Sequence, residues 1–222
     1  MPRSGQGSTG TCAGGRYSTA PGDRRTVTLL DTLRAATSES HRRLEGRLPL
    51  LDADLSRARY RHVLAAMWGY HAPLEARLDA AGAWRSVGLE GADRRRAPRL
   101  RSDLLALGLS EGDIDRLPRC VELPQVATPS DALGCLYVVE GSTLGGQVIL
   151  RHLARHLGVH AGQGASFFAG YGSETGMRWK ETCAAIAAFD ASGGGSAEGA
   201  ARAAVATFAS LEAWLAARGV LA

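Results

Sequence analysis

From Val27 to the C-terminus, apolar residues recur at steps of three and four, and no stretch alternates long enough to build a strand. That periodicity restricts the chain to an all-α fold. Its 222 residues fit one domain, with enough length for a buried core and a ligand cavity. The opening segment is different in kind. MPRSGQGSTGTCAGGRYSTAPGDRR is rich in Gly, Ser and Thr and lacks the apolar stretch of a secretory signal. We expect a disordered tail over 1–26 and a single helical bundle over 27–222.

The spacing predicts a first helix from about Thr28 to Leu48, stopped by Pro49, with an apolar stripe of Leu30, Leu33, Thr37, His41, Leu44 and Leu48. A second helix is predicted from near Leu55, with Asp54 as its cap and a kink at Pro73, continuing to about Ala81. Residues 82–99 read as a mixed loop, followed by short helices near Arg99–Leu107 and from Ser110. Pro129-Ser130-Asp131 opens an apolar helix that meets GSTLGG and resumes as Gln147–Leu157. After a loop comes FFAGYG, and helices are predicted near Thr175–Phe189 and over the Ala-rich C-terminal segment.

Composition narrows the function classes. No stretch reaches the ~18 uninterrupted apolar residues of a membrane span. Cys12, Cys120, Cys135 and Cys183 form no CxxC pair, which removes zinc knuckles and thioredoxin-type sites and suits a reduced cytoplasm. The net charge of +4 is carried by arginine, Lys180 being the only lysine. No basic-aromatic stripe accompanies it, so an anionic small molecule or an acidic protein is favoured over nucleic acid.

His41 sits within the apolar stripe of the first helix. A lone histidine there is ordinarily a core residue satisfied by hydrogen bonds. Two neighbours change that weighing. Glu45, one turn on, can take the Nδ1 proton and leave Nε2 free, as partners of metal-ligating histidines do. Arg34, two turns back, shares nearly the same azimuth. In the second half, Gly141, Gly145 and Gly146 interrupt an apolar helix, and three interior glycines oppose helix formation by about 3 kcal/mol. Close helix packing, a splitting loop, or a bend that brings bare backbone against a flat ligand would each offset this, with packing ranked first. A phosphate loop is excluded, because no strand precedes the glycines and no Lys follows them.

These residues carry a resemblance. LRAATSESHRRLE at 33–45 resembles the proximal-helix segment of haem (heme) oxygenases, and GSTLGGQV at 141–148 resembles their glycine-rich distal helix. The helical pattern is compatible over roughly 28–218, and EGSTLGGQ with FFAGYG and Trp179 is most similar to bacterial, biliverdin-forming members, including those partnered with phytochromes. The resemblance implies a bundle that holds haem (heme b, with its iron) between a proximal and a bent distal helix. His41 would be the iron ligand, Glu45 its hydrogen-bond acceptor and Arg34 a propionate cation. Gly141, Gly145 and Gly146 would let the distal helix bend over the ring. Arg178, Lys180 and Tyr171 are further candidates for the propionates. Haem would be both cofactor and substrate, opened by O₂ to biliverdin with release of CO and Fe²⁺. No flavin or nicotinamide motif is present, so electrons would come from an external donor, a ferredoxin or a reductase. A bilin-accepting phytochrome is an implied partner.

One departure bears on mechanism. Animal-type members carry Asp directly after the first glycine, where it anchors a water network that delivers protons; this chain has Ser142, a poor anionic acceptor. Ser142 is therefore the catalytic candidate on that side, with Gly141 and Gly145. The same departure leaves open a rival, a non-catalytic haem-binding or storage protein on the same fold. His152, His156 and His160 recur at i, i+4 and i+8, but Arg151 and Arg155 flank them and no carboxylate joins them, so a solvated face is expected. His62 and His71 read as structural or surface residues.

Overall fold

The computed structural model describes residues 27–193 and 195–222, so the tail expected over 1–26 and Cys12 lie outside the described residues. Helix α1, Leu29–Arg47, begins at a capping box in which Thr28 and Asp31 exchange side-chain to backbone hydrogen bonds. It ends where Leu48 turns extended ahead of Pro49. Leu33, Thr37 and Leu44 of the predicted stripe are buried.

Helix α2 spans Arg57–Ala80. Its cap is Ser56, whose hydroxyl accepts from the Arg59 N–H at 3.1 Å, and not Asp54 as the sequence suggested. Leu55 decides this: it and Tyr60 stand at the two staple positions either side of Ser56, and both are buried. The helix runs on through Pro73. Proline cannot donate to the Gly69 carbonyl four residues back. The backbone N–H of Cys120 does so instead, at 2.8 Å. Gly69 is what permits this approach, since a Cβ there would collide with the Pro118 carbonyl and the Trp214 ring.

The predicted loop at 82–99 contains α3, Ala83–Ser86, and a 3-10 turn at Ala92–Arg94. Helix α4, Ala97–Ala106, starts two residues earlier than predicted because a side chain from α2 caps it. Glu75 accepts from the N–H groups of Arg96 at 2.7 Å and Ala97 at 3.1 Å. Gly108 then stops α4 at φ 91°, and α5, Glu111–Asp115, follows from a Ser110–Asp113 capping box.

Helix α6, Pro129–Gly141, is capped by Thr128 with Asp131, and α7, Gly146–Leu157, resumes after a bend. The stretch Pro129–Leu157 is apolar and long enough to cross a membrane by those measures alone, yet half of its apolar window is buried inside the fold and the bend divides it. The FFAGYG segment is partly helical. It holds α8, Ser166–Ala169, whose first N–H groups are capped by Asp103 of α4, each at 2.7 Å. Helices α9, Thr175–Ser192, and α10, Ala197–Ala217, complete the chain, α9 running three residues past its predicted end.

The longest helix–helix contact is α6 on α10, and α10 also packs along α1. Gly134 sets the α6–α10 spacing: a Cβ there would strike the Ala200 carbonyl and come within 2.8 Å of both the Ala203 Cβ and the Ala204 nitrogen. No strand occurs among the described residues, and the fold is the all-α bundle the periodicity required.

Candidate functional site

Helices α1, α2 and α10 and the α6–α7 bend enclose a largely apolar cavity of about 360 Å³, within the ~300–1,000 Å³ of small-molecule sites. His41 and Glu45 of α1 line it. The His41 Nδ1 lies 3.3 Å from Glu45 Oε2, and the histidine side chain is 50% exposed on a face otherwise committed to the core. The Phe208 ring of α10 meets the imidazole edge-on, at 6.0 Å between centroids. With Nδ1 engaged by a carboxylate, Nε2 is the nitrogen available to a ligand.

The bend brings backbone to the same cavity. After Glu140 the helical bonds tighten to i→i−3: Thr143 N–H donates to Glu140, Leu144 to Gly141 and Gly146 to Thr143. The three glycines prove to have three different surroundings. A Cβ on Gly145 would meet only Glu45 Oε1, at 3.8 Å, so this residue borders the cavity opposite a side chain of α1. Gly146 lines the cavity and also abuts the Phe168 carbonyl so closely that no Cβ fits. Gly141 faces the Trp179 ring at an ordinary 3.6 Å and is not part of the lining. Close packing thus accounts for Gly146, and cavity access for Gly145.

Alanine at these positions separates the two roles. Gly146→Ala is expected to cost about 1–3 kcal/mol in urea unfolding, because α7 must move off α8. Gly145→Ala, at φ −74° and with open space for a methyl group, is expected to stay within about 0.5 kcal/mol of wild type while changing the affinity of whatever fills the cavity.

Ser142 lines the cavity, its hydroxyl donating to the Val139 carbonyl at 2.7 Å and lying 3.4 Å from Arg96 Nη1. The other predicted residues are placed outside the lining. Arg34 is exposed on α1, 4.0 Å from Asp31. Lys180 is exposed on α9, and Arg178 contacts Glu174 and Glu181, each at 3.6 Å. Tyr171 gives its hydroxyl to Glu140 Oε1 at 2.7 Å. Burial and that neighbouring carboxylate hold the phenol well above its usual range.

Sequence reasoning missed the polar groups behind the bend. Glu140 points away from the cavity into an ion pair with Arg94, and both are nearly solvent-free. Arg94 also reaches Glu181 and the Thr182 hydroxyl. Arg96, 2% exposed, donates to the Phe167 carbonyl at 2.9 Å and lines the cavity with His71. His71 is thus buried in the cavity wall and is not a surface residue. The one available signal was the run Arg94-Arg95-Arg96 just ahead of Pro98, which reads as solvated charge. His152 and His156 stack at 4.1 Å on α7, and no metal-binding cluster of His, Cys, Asp or Glu occurs among the described residues.

His71 and Glu75 titrate in opposing directions. Burial, then the positive charge of Arg96, pushes His71 from 6.5 down to about 3. Burial pushes Glu75 from 4.5 up to about 7, against the hydrogen bonds it accepts from the Arg96 and Ala97 N–H groups. As pH falls below 6.5 the unfolded His71 takes up a proton that the folded one refuses, so stability is lost towards about pH 3. Glu75 acts with the other sign between about 7 and 4.5: the folded carboxyl keeps a proton that the unfolded one releases, so stability rises as pH falls. His71→Leu should therefore gain on wild type by up to about 1.4 kcal/mol per pH unit below pH 6.5 in urea titrations. An offset independent of pH would contradict this.

A histidine paired with a carboxylate, set in an apolar cavity beside side-chain-free backbone, gives this all-helical fold a site of the ligand-binding class. The family comparison gives that class a name. Residues 27–217 match the family model described as Heme oxygenase, and the chain belongs to the haem oxygenase family, whose general activity is haem degradation. Its fold is similar to that of heme oxygenase from Leptospira interrogans (TM-score 0.68, 18% identity, 86% of this chain and 99% of that one). It is similar also to the NO- and CO-bound heme oxygenase from Neisseria meningitidis (0.67, 20% identity, 89% and 94%). Heme oxygenase-1 of the cyanobacterium Synechocystis sp. in complex with heme matches at 0.56, with 16% identity over 87% and 97%. No curated protein sequence matches the chain.

Proposed function

We propose that this protein opens haem to biliverdin, with release of CO and Fe²⁺, using O₂ and electrons from a separate donor. The observation that carries the reading is the His41–Glu45 pair at 3.3 Å inside an apolar cavity bordered by Gly145. The residues present fit haem: one free imidazole nitrogen, apolar walls, and backbone without side chains where a macrocycle needs room. When bound, the haem supplies the redox-active iron and is itself oxidised. His41 would hold it through Nε2, and Glu45 would retain the proton on Nδ1 and fix the ring plane. Phe208 packs against the imidazole edge, and the lining around it is largely apolar. Arg34 and Lys180, both exposed, are the cations this reading offers to the propionates. Arg178, held by two glutamates, and Tyr171, committed to Glu140, rank behind them.

The donor would be a ferredoxin or a reductase. Arg151 and Arg155 on the exposed side of α7 suit an acidic partner. A bilin acceptor such as a phytochrome is the corresponding consumer of the product. The rival, a haem-storage protein, is favoured by one observation: Glu45 is the only carboxylate among the described residues lining the cavity. Haemin with ascorbate or a ferredoxin system separates the two. Loss of the Soret band with growth of biliverdin absorption is expected, and a stable ferric or oxygenated complex would establish storage.

A further inference from the structure

The polar residues on the remaining wall of the cavity are not needed to ligate a metal or to exclude water. His71 lines the cavity, is 5% exposed, and has a buried Nδ1 without a hydrogen-bond partner. A leucine or phenylalanine would fill this place in α2 without that desolvation penalty. Its near neighbours are aromatic, with the Phe167 centroid at 5.2 Å and that of Tyr70 at 5.9 Å. Arg96 is drawn to the same Phe167 ring, its guanidinium carbon 4.3 Å from the centroid, and its Nε is also buried and unpartnered. Ser142 completes the group, 3.4 Å from Arg96 Nη1. Three elements of the fold, α2, the turn before α4 and the bend, thus converge on one polar patch in an otherwise apolar chamber.

The charged groups near His71 are few. Arg96 is positive, and Glu75, one turn further along α2, is occupied by the backbone N–H groups at the start of α4. Burial keeps the imidazole neutral at ordinary pH. A neutral imidazole has one N–H donor and one acceptor nitrogen, so it can donate to an anion or accept from a water. Ser142 cannot do the first well, because its hydroxyl proton is already given to the Val139 carbonyl.

We propose that His71, with Arg96 beside it, is the hydrogen-bonding group that receives small oxygen or anionic ligands inside the cavity, in the place of the carboxylate this chain lacks at Ser142. The assignment rests on the haem reading of the site. It makes His71 a ligand-orienting residue contributed by α2 and not by the bend.

Fluoride tests this without turnover, because it binds ferric haem and is stabilised by neighbouring donors. Fluoride affinity of the haemin-loaded protein is compared for wild type, His71→Leu, His71→Phe and His71→Gln. Each apolar variant is expected to weaken fluoride about tenfold or more, the order of one hydrogen bond to a charged ligand. His71→Gln, which keeps an N–H donor, should recover most of the loss. Haemin affinity and Soret position should stay close to wild type throughout, since His41 is untouched. Ascorbate-driven ring opening should fall in parallel with fluoride affinity. Unchanged fluoride affinity in either folded apolar variant, with haemin still bound, would overturn the role of His71 alone. Failure of the wild type to bind haemin would overturn the haem reading and this inference together.

Discussion

His41→Ala is expected to leave a folded protein that no longer shows an imidazole-ligated Soret band and has lost nearly all of the wild-type rate of haem degradation. The fold should survive because the side chain is half exposed and loses only an edge contact with Phe208 and its exposed pairing with Glu45. A change of that kind away from the core costs on the order of 0.5 kcal/mol. The chemistry should not survive, because His41 is the one histidine of the cavity paired with a carboxylate. Added imidazole, small enough to enter the space left by the missing ring, should restore both the spectrum and part of the turnover. Glu45→Gln should be milder: residues that orient a ligating histidine typically contribute about 10–100-fold in affinity or activity. A His41→Ala protein with an unaltered haemin spectrum would remove His41 from the site.

Arg94→Ala should have the largest effect on stability, about 3–5 kcal/mol in urea unfolding at neutral pH, the usual range for breaking a buried pair. Glu140, 1% exposed, would then be left with the Tyr171 hydroxyl as its side-chain partner, and a carboxylate cannot remain charged in that surrounding without large loss. The double variant Arg94→Leu/Glu140→Leu should recover much of the difference, because it removes both charges and replaces them with volume. Glu140 immediately precedes the bend, so the single variant should also loosen the α6–α7 junction, visible as faster amide exchange at Ser142–Gly146. Equal stabilities for the single and double variants would show that the ion pair itself is not what holds this end of α6.

What the sequence made legible, and what it hid, follow from the range of the forces involved. Helices α1, α6 and α10 were readable because their signals are local: a cap, a stop and a stripe within one segment. The His41–Glu45 pair was readable for the same reason, one helical turn separating the two. The cap of α2 was misplaced by two residues because the choice between Asp54 and Ser56 depends on the burial of Leu55, which only packing decides. Helix α4 started early because its capping group, Glu75, belongs to another helix. Arg94 and Arg96 were hidden most deeply. Beside a third arginine they look like solvated charge, and the partner that buries Arg94 lies 46 residues away at Glu140. His71 could not be placed in the cavity wall from sequence because its surroundings, Arg96 and Phe167, arrive from two other elements. The glycine run was one cluster in sequence and three environments in space.

The approach of Gly145 to Glu45 also sets the width of the chamber at one point. At that point its width is set by a bare backbone and a carboxylate 3.8 Å from where a methyl group would begin, so thickness, more than area, is the quantity being gauged. A flat ring needs contacts of about 3.5 Å on each of its faces, more than this gap leaves, so the Glu45 carboxylate must turn from Gly145 before such a ring can lie between them.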